Sequence, residues 1–235
     1  MMIAARNSFL MGRAGPTPWQ NPYVTDGLVA MWDGEWNAGG GVHDANATVW
    51  ADLIGTHNLT VNSGATWSTN GLSTTTRIAG GLAYSSAYIS STIGAIEACY
   101  DMRADSDNSQ GRGLVCNTNA RSLMSRGVDG LRSRGEASVM TPFVTSRLLS
   151  RWSGSVVYAT SFSADKLYFG GVEQTTESAP GNWNLPNYIR IGSNSATNTN
   201  LCAIGTCHCI RLYSRALTAA EVAANYAIDA ARFGL

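Results

Sequence analysis

The sequence predicts an all-β fold, a sandwich or barrel of short strands, closed by a short C-terminal α-helix, and three observations carry that expectation. Between positions 114 and 169 the segments LVCN, SLMSR, GLRSR, ASVMT, RLLSRW, SVVYATSF and KLYFGG follow one another, with turn residues between them and no helical period. The composition suits short strands joined by polar turns: 44% of the 235 residues are hydrophobic, only 14% are charged, and 25 are glycine. The end of the chain differs in kind. Thr218 and Glu221 make a capping box ahead of an Ala-rich segment that stops before Gly234, which predicts a helix over 218–232. Val222, Tyr226 and Ala230 recur at helical spacing and mark the face expected to pack on the sandwich. A chain of this length buries enough apolar surface to fold as one sandwich without disulfides or metals.

Taken in order, residues 1–24 read as an extended N-terminal arm, punctuated by Gly12, Gly15, Pro16, Pro18 and Pro22. Trp19 and Tyr23 are its aromatic anchors. Such an arm packs on its own domain or docks onto another subunit, and the second case makes Trp19 and Tyr23 partner-docking residues. The sandwich proper then spans 25–235. Segment 27–33 (GLVAMWD) predicts the first strand, and a Gly-rich loop over 34–46 leads to a second around 49–53. Two short strands flank the Asn62-Ser63-Gly64 turn. Segment 93–102 (IGAIEACYDM) alternates as a core strand. After a Pro/Asn/Gly loop, 188–192 (YIRIG) and 205–213 supply the last strands.

The formal net charge is zero, which leaves no electrostatic footprint for nucleic acid or an anionic membrane. Arginines gather between Arg103 and Arg151, either as a patch for an acidic glycan or as the solvent-facing half of alternating strands. The five cysteines, Cys99, Cys116, Cys202, Cys207 and Cys209, are odd in number and lack framework spacing, which predicts reduced thiols. Arg6, Asn7 and Ser8 interrupt any apolar run in the first ten residues, and no stretch reaches transmembrane length. The expectation is synthesis in the cytoplasm without a signal peptide.

The string GTCHCIRLYSRALT over 205–218, with Glu221 and Tyr226, resembles the closing segment of laminin G-like, concanavalin A-like domains. In that family a Gly-initiated strand with an R-[IV]-Y core is followed by N/S-R-A-L-[ST]-x-x-E and a short helix. The opening DGLVAMWD (26–33), GAIE (94–97) and IRIG (189–192) resemble its first, central and penultimate strands. Four landmarks in the expected order imply a concanavalin A-like jelly roll, a two-sheet antiparallel sandwich. The alignment also places Cys207 at an aliphatic core position, and Cys209 is expected to share its face.

Geometry separates the chemistries that these residue types suggest. Cys202, Cys207, His208 and Cys209 suggest zinc, but on a regular strand His208 points away from Cys207 and Cys209, so core packing is preferred. Glu97 and Asp101 are co-facial at i and i+4 and form the candidate pair for a glycoside hydrolase of the same fold. They stand roughly 13 Å apart along a strand, too far for a retaining pair. Asp33, Asp44 and Asp52 make calcium conceivable, yet match no ligand spacing, so no cofactor is expected. Nothing in the sequence supports a nucleotide site or a nucleophile elbow. Glycan recognition needs an aromatic platform beside hydrogen-bonding side chains. Two loops offer that: Trp36 with Asp33 and Asn37, and Trp183 with Asn182 and Asn184. The expectation is a non-catalytic recognition or structural module, lectin-like, on a bacteriophage particle. Its expected partners are cell-surface glycans and, through the arm, other virion proteins, with a homo-oligomer also open. The alternatives are the hydrolase and a purely architectural virion protein without a glycan ligand.

Overall fold

A computed structural model describes residues 20–85, 93–102, 112–117, 122–126, 131–133, 138–140, 151–157, 166–174, 176–178, 189–193 and 195–235. Its strands are β1 (Leu28–Asp33), β2 (Val49–Trp50), β3 (Leu59–Val61), β4 (Thr66–Ser68), β5 (Gly71–Thr74), β6 (Ala83–Tyr84), β7 (Ala95–Met102), β8 (Arg112–Asn117) and β9 (Ser122–Arg126). They continue with β10 (Leu131–Ser133), β11 (Ser138–Met140), β12 (Arg151–Val157), β13 (Lys166–Phe169), β14 (Val172–Gln174), β15 (Thr176–Ser178), β16 (Ile189–Ile191) and β17 (Gly205–Tyr213). The α-helix α1 (Ala219–Phe233) follows.

Two antiparallel sheets form the sandwich. One runs β14-β13-β12-β7-β17-β5-β4, with β1 also paired to β17; the other runs β15-β11-β10-β9-β8-β16-β6-β3-β2. Between them lie Trp32, Trp50, Leu59, Leu72, Ile96, Leu114, Ile191, Ile210 and Leu212, all buried. Tyr100 on β7 donates its hydroxyl to the Leu114 carbonyl on β8 at 2.8 Å, a polar tie across an otherwise apolar core.

Strand β17 organises the first sheet. One edge runs along β7, while the other is shared end to end, Gly205–Cys207 with β5 and Cys209–Tyr213 with β1. Where β1 leaves and β5 arrives the backbones nearly touch: a Cβ on Gly34 would sit 2.4 Å from the Gly71 Cα. Gly94, at the head of β7, is held as closely, since a Cβ there would lie 2.2 Å from the Arg215 carbonyl carbon. Only glycine permits either approach.

A β-bulge at His208 corrects the expected placement of the cysteines. The register against β7 shifts between Cys207 and Cys209. The extra residue resets the alternation. Cys207 therefore enters the inter-sheet core, while Cys209 packs with Cys99 and Phe233 on the opposite, helix-facing side. All five cysteines are buried, and none is joined in a disulfide.

Helix α1 covers that outer face. Its start is the capping box read from the sequence: Thr218 Oγ1 accepts from the Glu221 N–H at 3.3 Å, and Glu221 Oε2 accepts from the Thr218 N–H at 2.8 Å. Gly234, with φ of 68°, ends it and donates to the Ala230 carbonyl. The buried face, however, is Val222, Asn225, Asp229 and Phe233, not Val222, Tyr226 and Ala230. Apolar periodicity misses a face whose centre is polar because its partner surface is charged.

The cap carries a pH-dependent contribution. The Arg215 guanidinium and the Thr218 N–H hold the Glu221 carboxyl down to about 2 from its ordinary 4.5. A carboxylate depressed in the folded state stabilises above its unfolded pKa and loses that effect as pH falls. Glu221→Ala is expected to cost about 1 kcal/mol at pH 7. Urea unfolding of the two proteins should converge as pH drops from about 4.5 towards about 2.

Candidate functional site

Beneath α1 the outer face of the first sheet carries a buried ionic cluster. Successive outward residues of β7 and β17 bring Glu97 and Arg211 together, and α1 lowers Asp229 onto them. Arg211 Nε donates to Glu97 Oε2 at 2.9 Å, and its Nη1 and Nη2 donate to the two Asp229 oxygens at 2.8 and 2.7 Å. Asn225 donates to Glu97, and Ser155 and Ser153 donate to Glu97 and Asp229. Arg211, Asp229 and Glu97 are buried to within 1% of completely. One guanidinium thus faces two carboxylates. Burial pushes Glu97 up despite Arg211, and Asp229 adds to the rise. Burial also opposes ionisation of Asp229, but the Arg211 charge and hydrogen bonds leave it below the ordinary carboxylate range.

This corrects the acid pair considered for hydrolysis. Glu97 lies sealed under a helix, with its oxygens engaged by Arg211, Asn225 and Ser155, so it has no route to a sugar. Asp101 stands at the far end of the same strand, opposite Thr206 and Arg151 in register.

Tyr23, expected as a partner-docking anchor, is an internal one. It is 4% exposed, its hydroxyl donates to Asp229 at 2.8 Å, and the Arg211 guanidinium carbon lies 4.0 Å from its ring centre. The packed domain therefore begins within the segment read as arm. Trp19 lies outside the described residues.

The first glycan-binding candidate is likewise built into the fold. Asp33 is fully buried and receives both terminal nitrogens of Arg232 at 2.7 and 3.0 Å. The same guanidinium lies 4.1 Å from the Trp36 ring centre, so a cation occupies the expected sugar platform. Asn37 is buried too, exchanging two hydrogen bonds with the backbone of Asp44. Asp33 and Trp36 tie the start of the 34–46 loop to Arg232 at the end of α1, and Asn37 closes the loop on itself. The second candidate, Trp183 with Asn182 and Asn184, lies outside the described residues, as do the side chains of the arginine-rich stretch from Arg103 to Arg151. Asp33, Asp44 and Asp52 have separate partners: Asp33 binds Arg232, Asp44 accepts the Asn46 N–H, and Asp52 accepts from the N–H groups of Met31, Ile54 and His57. Among the described residues no cluster of three or more potential metal ligands occurs.

An open depression elsewhere better suits a ligand. It has a volume of about 280 Å³ and lies where the loop before β2 meets β3 and β4. Its walls are Asn46, Thr48, Asn62, Ser63, Thr66 and Trp67, with Val61 and three alanines. Trp67 is half-buried and rigidly held: Nε1 donates to the Ala47 carbonyl at 2.8 Å, and Trp50 meets its ring edge-on at 5.3 Å. Asn62 is oriented by donating to the Ala79 carbonyl at 2.9 Å. The depression thus combines a fixed indole with amides and hydroxyls. Trp67 is not among the residues expected from the sequence, because it sits on strand β4 and not in a loop. Its neighbours Thr66, Ser68, Thr69 and Asn70 were the available signal.

These features define an all-β sandwich sealed on one outer face by a C-terminal helix and carrying a polar, Trp-walled depression. No protein-family model matches the sequence, and comparison with curated proteins finds no match. Solved structures do resemble it. Trypanosoma rangeli sialidase in complex with sialic acid matches with a TM-score of 0.62 at 16% identity, over 85% of this chain and 32% of that one. The same enzyme with 2,3-difluoro-KDN gives 0.63 at 17%, over 87% and 33%. The botulinum neurotoxin serotype D ligand-binding domain in complex with N-acetylneuraminic acid gives 0.55 at 12%, over 86% and 51%. The chain spans about a third of the sialidase and half of the toxin chain, and identities this low establish likeness of fold. Among the described residues no helix is long and apolar enough to cross a membrane.

Proposed function

We propose that the protein is a concanavalin A-like, lectin-type module that binds carbohydrate without transforming it. The observation that carries this reading is the Trp67 depression. Its fixed ring offers an apolar surface for the C–H face of a pyranose, and Asn46, Thr48, Asn62, Ser63 and Thr66 supply donors and acceptors for hydroxyls. At about 280 Å³ it falls just below the usual range for drug-sized ligands, which suits a terminal sugar or a short disaccharide. The glycans named with the sialidase and toxin structures are consistent with a fold that recurs in sugar recognition. The sealed position of Glu97 removes the motive for the hydrolase alternative built on Glu97 and Asp101.

Virion attachment remains the setting this reading favours. Five buried cysteines without a disulfide suit a protein folded in a reducing compartment, while the fold class suits recognition at a cell surface. The arm before Tyr23 would then contact other virion proteins.

A glycan array followed by calorimetry tests the binding role. Trp67→Ala is expected to weaken the best ligand at least about tenfold, which is about 1.4 kcal/mol, and Trp67→Phe by less. Thermal unfolding of both variants separates loss of contact from loss of fold. Unaltered affinity in a folded Trp67→Ala protein removes this site, and an empty array leaves the architectural alternative.

A further inference from the structure

Resting on that reading, we infer that the depression selects neutral sugars and excludes sialic acid and other carboxylate-bearing glycans. None of its ten lining residues is charged. Of the charges near the rim, Asp44 accepts the Asn46 N–H on Oδ1 at 2.8 Å, while the Arg190 guanidinium, which approaches Asn62, is engaged through Nη1 by the Gly80 carbonyl at 3.2 Å. A carboxylate entering the depression sheds hydration, and a charge desolvated without a cationic or converging N–H partner is strongly disfavoured. Asp44 adds like-charge repulsion. A neutral pyranose meets no such penalty, because its hydroxyls both donate and accept, as do the side chains of Asn46, Thr48, Asn62, Ser63 and Thr66. The ligand class therefore differs from the sialic acids named with the structurally similar sialidase and toxin domain.

The test uses the full chain and an array of matched oligosaccharides with and without a terminal sialic acid, read at low and high salt. Neutral members are expected to bind at least about tenfold more tightly than their sialylated partners, with affinity insensitive to salt. Asp44→Asn is expected to narrow the gap, and Asn62→Asp to lower affinity for the neutral members. Equal or tighter Trp67-dependent binding of the sialylated members overturns the selectivity while leaving sugar recognition at this site intact. Binding that ignores Trp67, or no binding to any member, overturns the site itself and the selectivity with it.

Discussion

Replacing Arg211 with methionine is expected to destabilise the protein by about 3–5 kcal/mol, because Glu97 and Asp229 then remain buried beside each other without a counter-charge. The loss should reach beyond the pair. Asp229 is the point where α1, the Tyr23 segment and β12 converge, through hydrogen bonds from Arg211, Tyr23 and Ser153. Chemical unfolding should show a lower midpoint, and hydrogen exchange should show faster opening of α1 than of the inter-sheet core. Replacing Arg211, Glu97 and Asp229 together with Met, Leu and Leu should recover most of the loss, since an apolar trio carries no stranded charge. A single Arg211→Met variant within about 1 kcal/mol of the parent would contradict the cluster's structural role.

Trp50→Ala is expected to cost about 3–5 kcal/mol by leaving a large cavity between the sheets. Trp50 is fully buried, donates Nε1 to the Asp33 carbonyl at 3.0 Å, and braces Trp67 edge-on. Its removal opens a void, orphans that carbonyl and frees the platform of the candidate sugar site. Affinity for a neutral glycan should fall with stability, whereas Arg211→Met, on the far face of the sheet, should spare affinity wherever the protein stays folded. Parallel unfolding and calorimetry on the two variants checks the distinction. Equal losses of affinity in both would mean that global unfolding, not the Trp50–Trp67 contact, governs the site.

The strands and the helix were legible because each is written locally. Alternation marks β7, the apolar first strand marks β1, and Thr218, Glu221 and Gly234 bracket α1 to within one residue. The GAIE segment was legible as a landmark, but its reason was not: Gly94 is required by the Arg215 backbone, 121 residues further along the chain. Local patterns also misled where one residue altered their phase. The bulge at His208 sent Cys207 and Cys209 to opposite faces, although strict alternation puts them on one.

Functional residues were harder to read, because type and neighbourhood do not reveal what a side chain already touches. Trp36, Asp33 and Asn37 have the chemistry of a sugar site, but Arg232, distant in sequence, occupies the ring and the carboxylate. Glu97 has the chemistry of a catalytic acid, but Arg211 and the helix bury it. Trp67 was overlooked, and the fold sets it beside Asn46 and Asn62 in an uncharged depression.

By itself, then, the sequence determined that this chain is an all-β fold of short strands with a capped terminal helix. Those properties follow from periodicity, turn chemistry and capping, which act over a few residues. Only the tertiary structure decided which polar residues are left for a ligand. That outcome depends on ion pairs and close packing between segments far apart in sequence, and burial, not residue type, separates a structural carboxylate from a functional one.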